Sequence, residues 1–391
     1  MLHFLMMQGN LKMENKKHAI LSASSSHRWL NCPPSVRLSE GHQETVSDFA
    51  LEGTDAHTLC EYKLRKALGL LVGDHPMPKL DWYSEEMEDC ANGYVAFVLE
   101  LIEEVKKTCA DPIILIEQKL DYSKYVKDGF GTGDCVIIED GMIHIIDYKH
   151  GRGVQVDAND NPQMMLYAIG ALELFDHLYD VSEVSMTIYQ PRRGNISTFK
   201  MKTDELYAWV NTVLVPVAKL AYKGEGKYKA GEWCQFCKAK TTCRERANAN
   251  LKLAQSEFAL PPLLDDEEIE EVLLKIDGLV AWANDIKDYA LQSAISGKKW
   301  AGFKLVEGRS VRKYSDEAIV ATTVENAGYD PYEKKLAGIT EMQKRLGKSK
   351  FNELLGSYLV KPAGKPTLVP ESDKRPEFNP AKADFMTKEG E

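Results

Sequence analysis

A chain of 391 residues with 44% hydrophobic and 28% charged residues has the make-up of a globular protein, long enough for one large domain and a smaller one. The net charge of −10 argues against a protein that coats nucleic acid nonspecifically, but it does not exclude an enzyme whose own carboxylates swell the count. No apolar run approaches the roughly 20 residues that cross a bilayer, and the stretch from Met1 to Met7 is too short for a signal peptide, so the expectation is a cytoplasmic protein with no membrane contact.

Residues 1–19 read as an N-terminal extension, with Met13 a more natural start than Met1. A serine-rich stretch, residues 22–26, opens a short helix that ends in a loop at Cys32-Pro33-Pro34. Residues 84–107 predict a helix, because acids open it, lysines close it, and Met87, Tyr94, Val98, Leu101 and Val105 recur at helical spacing. Strands are expected near 113–118, 133–139 and 142–149, then a helix near 161–176. Strands at 183–189 and 196–201 and a helix from 203 to about 219 follow. This order predicts the α/β class, with a central mixed sheet flanked by helices.

The most informative segment is the expected hairpin. Asp140-Gly141 separates two apolar runs and favours a two-residue type I′ turn, which pairs Glu139 with Met142. Counting outward brings Asp134 opposite Asp147, on the same face as Val136, Ile138, Ile143 and Ile145. Lys149, two residues on, returns to that face. Two carboxylates at the end of a buried face repel unless a cation stands between them, and Mg²⁺ prefers such oxygens. Metal-assisted phosphodiester cleavage is the chemistry this suggests. Glu117 ends the strand 113–116, and of two readings, support of the site or a solvated strand end, the second is favoured.

Of the eight cysteines, Cys60, Cys90, Cys109 and Cys135 fall in apolar or helical patterns and are assigned to packing. Cys234, Cys237 and Cys243 sit in one short loop, and three thiolates call for a fourth ligand, for which Cys32 is the best candidate. Both zinc and an iron–sulfur cluster satisfy that pattern.

Residues 251–264 read as a linker, and 265–360 as a second module. It comprises a helix over 265–297, a hairpin over 300–314 and a helix over 339–358. The basic residues of this module suggest a DNA-holding or subunit-contact role, which makes homo-oligomers an expectation. Gly347-Lys348-Ser349 lacks the glycine and preceding strand of a nucleotide loop, so ATP binding is not expected. The Pro- and Lys-rich stretch 361–391 predicts a disordered tail.

Taken in order, these motifs resemble the RecB-like branch of the PD-(D/E)XK nucleases, and most closely its iron–sulfur exonucleases, such as the AddB nuclease domain and CRISPR-associated RecB-like exonucleases. The similarity spans about residues 20–250. It rests on residues 22–33, Glu52-Gly53-Thr54-Asp55-Ala56-His57, Gly131-Thr132-Gly133-Asp134, Asp147-Tyr148-Lys149, Gln163-Met164-Met165-Leu166-Tyr167 and the cysteine triplet. The resemblance implies a restriction-endonuclease-like core and a metal-dependent DNA exonuclease, of phage or prophage type, acting on single-stranded DNA or duplex ends in a bacterial host cell. A single-strand annealing protein would be its companion in recombination. It further implies Mg²⁺ or Mn²⁺ held by His57, Asp134, Asp147 and the Tyr148 carbonyl, with Lys149, Gln163 and Tyr167 in catalytic roles. Cys32, Cys234, Cys237 and Cys243 would hold a [4Fe–4S] cluster closing the domain. The rival readings are a non-cleaving DNA-binding protein of the same fold and a zinc-stabilised structural protein.

Overall fold

In the computed structural model the described residues are 19–42, 47–175, 179–256, 266–306, 315–332 and 336–360. The 1–18 part of the N-terminal extension, the 257–264 part of the linker, residues 307–314 of the expected hairpin and the 361–391 tail lie outside them.

Five strands build one sheet: β1 (Ile113–Asp121), β2 (Phe130–Glu139), β3 (Met142–Tyr148), β4 (Glu183–Gln190) and β5 (Asn195–Lys202). They lie in sequence order, antiparallel except for the parallel pair β3–β4, so the sheet is mixed. The parallel pair needs a crossover, and α5 (Pro162–Phe175) supplies it. Before the sheet come α1 (Ser26–Asn31), α2 (Ser35–Leu38), α3 (Asp48–Ala67) and α4 (Glu85–Val105). Ser47 and Ser84 cap the last two, their hydroxyls accepting from Ala50 and Met87 N–H. After the sheet come α6 (Thr203–Trp209), α7 (Val215–Lys223), α8 (Arg244–Ser256) and α9 (Asp266–Ile295). The expected helix 203–219 is thus longer than read and passes through a π-helical segment, Val210–Leu214.

Alternation along the strands divides the core into two layers. Val136, Ile138, Ile143, Ile145, Val184 and Met186 face α5, whose Met164 to Leu172 are buried throughout. Cys135, Ile137, Ile146 and Tyr148 face the other way, against Leu59, Cys60 and Leu64 of α3 and Met87, Tyr94 and Val98 of α4.

The hairpin keeps the expected register, with Glu139 paired to Met142 and Cys135 to Ile146. Its turn differs. A type I′ turn needs positive φ at both central residues, and only Gly141 has it, at +84°. That sign pattern belongs to a type II turn, which Gly141 serves equally well. Its carbonyl also accepts from the Ser182 and Glu183 N–H groups, tying the hairpin to the start of β4.

Contacts divide the chain into Met1–Ala290 and Leu291–Glu391. In the second unit, α10 (Glu317–Asn326) is capped by the Asp316 carboxylate, and α11 (Ile339–Leu346) and α12 (Lys348–Leu355) stand where one helix was expected. Gly347, at φ +74°, breaks it. Residues 300–306 of the expected hairpin form no strand.

Gly141→Ala should cost about 1–2 kcal/mol, the ordinary penalty for a left-handed L-residue, read as a lower urea midpoint at constant slope. Unchanged stability would mean that the turn relaxes freely.

Candidate metal centre and cysteine cavity

The last bridge between β2 and β3 is Cys135–Ile146; beyond it the strands part. Asp134 and Asp147 are the next residues on each side of the fork. The Tyr148 N–H, no longer served by a strand partner there, donates to Asp134 Oδ2 at 2.7 Å. Asp147 is 2% exposed, and burial, the largest influence, pushes its carboxyl up while the Lys149 ammonium pulls it down. Lys149 Nζ lies 2.9 Å from Asp147 Oδ2, so the buried carboxylate has one cationic partner already.

Asp134 Oδ1 faces His57 Nδ1, on α3, at 3.2 Å. Glu117 joins them: one ligand atom from each of His57, Glu117 and Asp134 lies within 4.8 Å of the others. Glu117 is a correction to the sequence reading. The strand does not end there but runs on to Asp121, with Ile116 opposite Cys135 and Gln118 opposite Gly133. Glu117 itself has φ +52°, an uncommon conformation for a non-glycine residue that turns it out of the regular ladder. Such local strain is found where a site needs a side chain re-aimed. Nothing in the pattern of residues 113–121 announces it.

The electrostatics agree. Glu117 is raised to about 7, by burial first and then by the charge of Asp134. Burial alone would lower His57, but the charge and hydrogen bond of Asp134, with Asp147 behind, carry it up to about 9. A protonated imidazole therefore stands in for the missing positive charge. Cys60, Glu61, Leu64, Tyr94, Ile116 and Tyr148 complete the lining of the same small cavity.

On the α5 side, Gln163 binds three partners at once. Its Nε2 donates to Asp147 Oδ1 at 3.2 Å and to the Tyr167 hydroxyl at 3.1 Å, and its Oε1 accepts from Lys149 Nζ at 3.2 Å. Gly131 makes room for this helix: a Cβ there would sit 2.5 Å from the Tyr167 ring. Burial pushes the Tyr167 hydroxyl well up, so it remains a neutral donor or acceptor.

The other sequence-predicted group also assembles. Cys32, at the C-cap of α1, lines one cavity with Cys234, Cys237 and Cys243. No three of these sulfurs, all on described residues, lie within 4.8 Å of one another. Arg28 and Arg246 line the cavity too. Arg246 and Lys240 also grip Asp285 of α9, at 2.6 Å and 2.7 Å.

Glu117→Gln should weaken Mn²⁺ binding, followed by titration calorimetry, at least about tenfold, in line with losses at metal shells; unchanged affinity would remove Glu117 from the centre. The metal-free protein should also lose stability as pH rises. His57, raised from 6.5 to about 9, stabilises fully below 6.5, and that contribution fades as pH climbs through about 9. Glu117, raised from 4.5 to about 7, resists ionisation in the fold, so its ionisation weighs against folding from 4.5 upward. Melting in EDTA should show a falling midpoint between these limits, and added Mn²⁺ should close the gap; a flat profile would contradict the grouping.

Among known proteins, a solved structure described as "Crystal structure of SSO0001" is similar over 50% of this chain and 98% of its own, with 16% identity and a TM-score of 0.21. A family model described as "Protein of unknown function (DUF2800)" matches residues 18–376. This chain belongs to the DUF2800 family.

Proposed function

We propose that this protein is a metal-dependent DNA nuclease of the RecB-like PD-(D/E)XK type, working as an exonuclease, with a [4Fe–4S] cluster on its four clustered cysteines. The observation that carries the reading is the fork of β2 and β3, where Asp134, Asp147, Glu117, His57 and Lys149 converge. A mixed five-stranded sheet with helices on both faces suits that fold.

Asp134, Glu117 and His57 would hold one divalent ion, with Asp147 next to it. A bound ion supplies a polarised phosphate and a water of lowered pKa. The chain's own groups do the rest. Burial works to lower the Lys149 pKa, but the charge of the adjacent Asp147 holds it above its ordinary value. Lys149 is therefore an ammonium at neutral pH and cannot accept a proton. Its part is to donate to the attacking water or to the phosphate oxygens as charge builds on them. Gln163 fixes the ammonium between itself and Asp147, and Tyr167 fixes Gln163. A water attacks phosphorus, the new P–O bond forming as the bond to the leaving deoxyribose oxygen breaks; the proton that the water loses goes to solvent, and the leaving oxygen takes one up from solvent.

The shared cavity of the four cysteines supports a common bound group, and the preference for a cluster over zinc comes from the family resemblance. A clip between Cys32 and the 234–243 loop closes about 200 residues of chain, and such closures contribute a few kcal/mol.

Incubation with end-labelled DNA and Mn²⁺ or Mg²⁺ tests the activity. Wild type should degrade the label while Asp147→Ala, still folded, should lose at least about a thousandfold, the scale of an electrostatic group at the reacting centre; equal rates would end the assignment. Cys237→Ser should lose iron, brown colour and solubility together, and a colourless wild type purified without oxygen would contradict the cluster.

A further inference from the structure

One residue past Lys149 a second group of charged side chains begins, which the metal centre does not use. His150 is buried, its Nδ1 bonded to the Tyr148 hydroxyl at 2.8 Å and its Nε2 3.5 Å from Glu52 Oε1. Arg192, from the turn after β4, donates to Glu52 at 2.8 Å and to Glu86 at 3.3 Å. Its buried Nε finds no acceptor among the described residues. Arg152 shares Glu86. Arg193 donates to the carbonyls of Arg152 at 2.7 Å and Gly153 at 3.3 Å.

Three guanidinium groups thus meet two carboxylates, on a protein whose overall charge is −10. Each guanidinium has five N–H donors, and these partners take only a few of them. Arg152, with its side chain 60% exposed, and Arg193 present the remainder to solvent. The loop that carries Arg152 is not free to wander: the Gln190 amide donates to the Gly151 and Val154 carbonyls, each at 2.8 Å. A fixed, net-cationic fork of arginines is suited to a phosphate.

Helix α3 sets the distance from the metal centre. Glu52 lies five residues before His57, a rise of about 7.5 Å, so the arginines stand roughly one nucleotide along from the metal ligands. One turn further out, on the same side as Glu52, Phe49 is 84% exposed. A large aromatic left in water beside a phosphate-binding fork fits an unpaired base, whose face a duplex would hide.

We propose that Arg152, Arg192 and Arg193 with Phe49 form a subsite for a single-stranded nucleic-acid end: the arginines hold the backbone phosphate next to the one cleaved, and the Phe49 ring stacks on an unpaired base. This inference rests on the nuclease reading and adds the substrate form and the residues that select it.

The test is anisotropy of the full-length protein with a labelled oligothymidylate and a blunt duplex of equal length, in EDTA so that nothing is cut, across about 50–200 mM salt. Arg152→Ala/Arg193→Ala, chosen because removing Arg192 would strip Glu52 of its nearest cationic partner, should weaken single-strand binding about tenfold or more. Its salt slope should flatten by about 0.7 for each phosphate no longer neutralised. Phe49→Ala should lose about fivefold or more on the single strand and little on the duplex, the scale of one stacked base. Thermal melting checks that both variants fold. Unchanged affinity and slope in folded variants, or equal losses on duplex and single strand, would overturn the subsite. Cleavage with Mn²⁺, measured in parallel, separates the two claims. Cutting without these binding changes refutes the subsite alone, whereas a wild type that neither binds nor cuts refutes the nuclease reading and the subsite with it.

Discussion

Two carboxylates at the fork of one hairpin govern this molecule. Asp147 is buried and pushed toward its neutral form, Asp134 stands at the same fork, and neither is comfortable without a positive partner. The structure gathers such partners from every direction: His57 from α3, Lys149 from the end of β3, and the Gln163 amide from α5. Glu117 adds a third carboxyl group to the first two, within reach of Asp134 and His57.

Tyr148 ties these parts together. Its N–H fixes Asp134, its ring lies edge-on to His57 at 5.5 Å between centroids, and its hydroxyl reaches His150 and so the arginine fork. A displacement of β3 would move the metal ligands, the lysine and the arginines at once. The cysteine cavity lies apart from this. It joins α1 to the loop after α7, and through Arg246 and Lys240 to Asp285 of α9. In the proposed reading it would hold the two ends of the sheet-bearing unit together rather than touch substrate.

Much of this was legible in the residues because it is local. The Asp140-Gly141 turn and period-two alternation set the register that brings Asp134 and Asp147 to one fork. The i,i+4 spacing put Gln163 and Tyr167 on one side of a helix, where they bond to each other. Glu117 was missed because its role depends on a left-handed backbone that no propensity signals, in a strand whose outer half turns polar. The type I′ expectation failed for a related reason: Asp-Gly supports two turn types, and the pull of β4 on the Gly141 carbonyl is not local. The Glu52–Arg192–Glu86 network links residues far apart in the chain, beyond the reach of any spacing argument. Gly347 could have been read as a helix stop, but a periodic pattern on both sides masked it.

The central claim is that acids from three adjacent strands share a cation with His57. Anomalous diffraction from crystals soaked in Mn²⁺ addresses it directly. The account predicts a peak within bonding distance of Glu117, Asp134 and His57, beside Asp147. Saturating Mn²⁺ with no peak there, or with manganese bound only elsewhere, would contradict it.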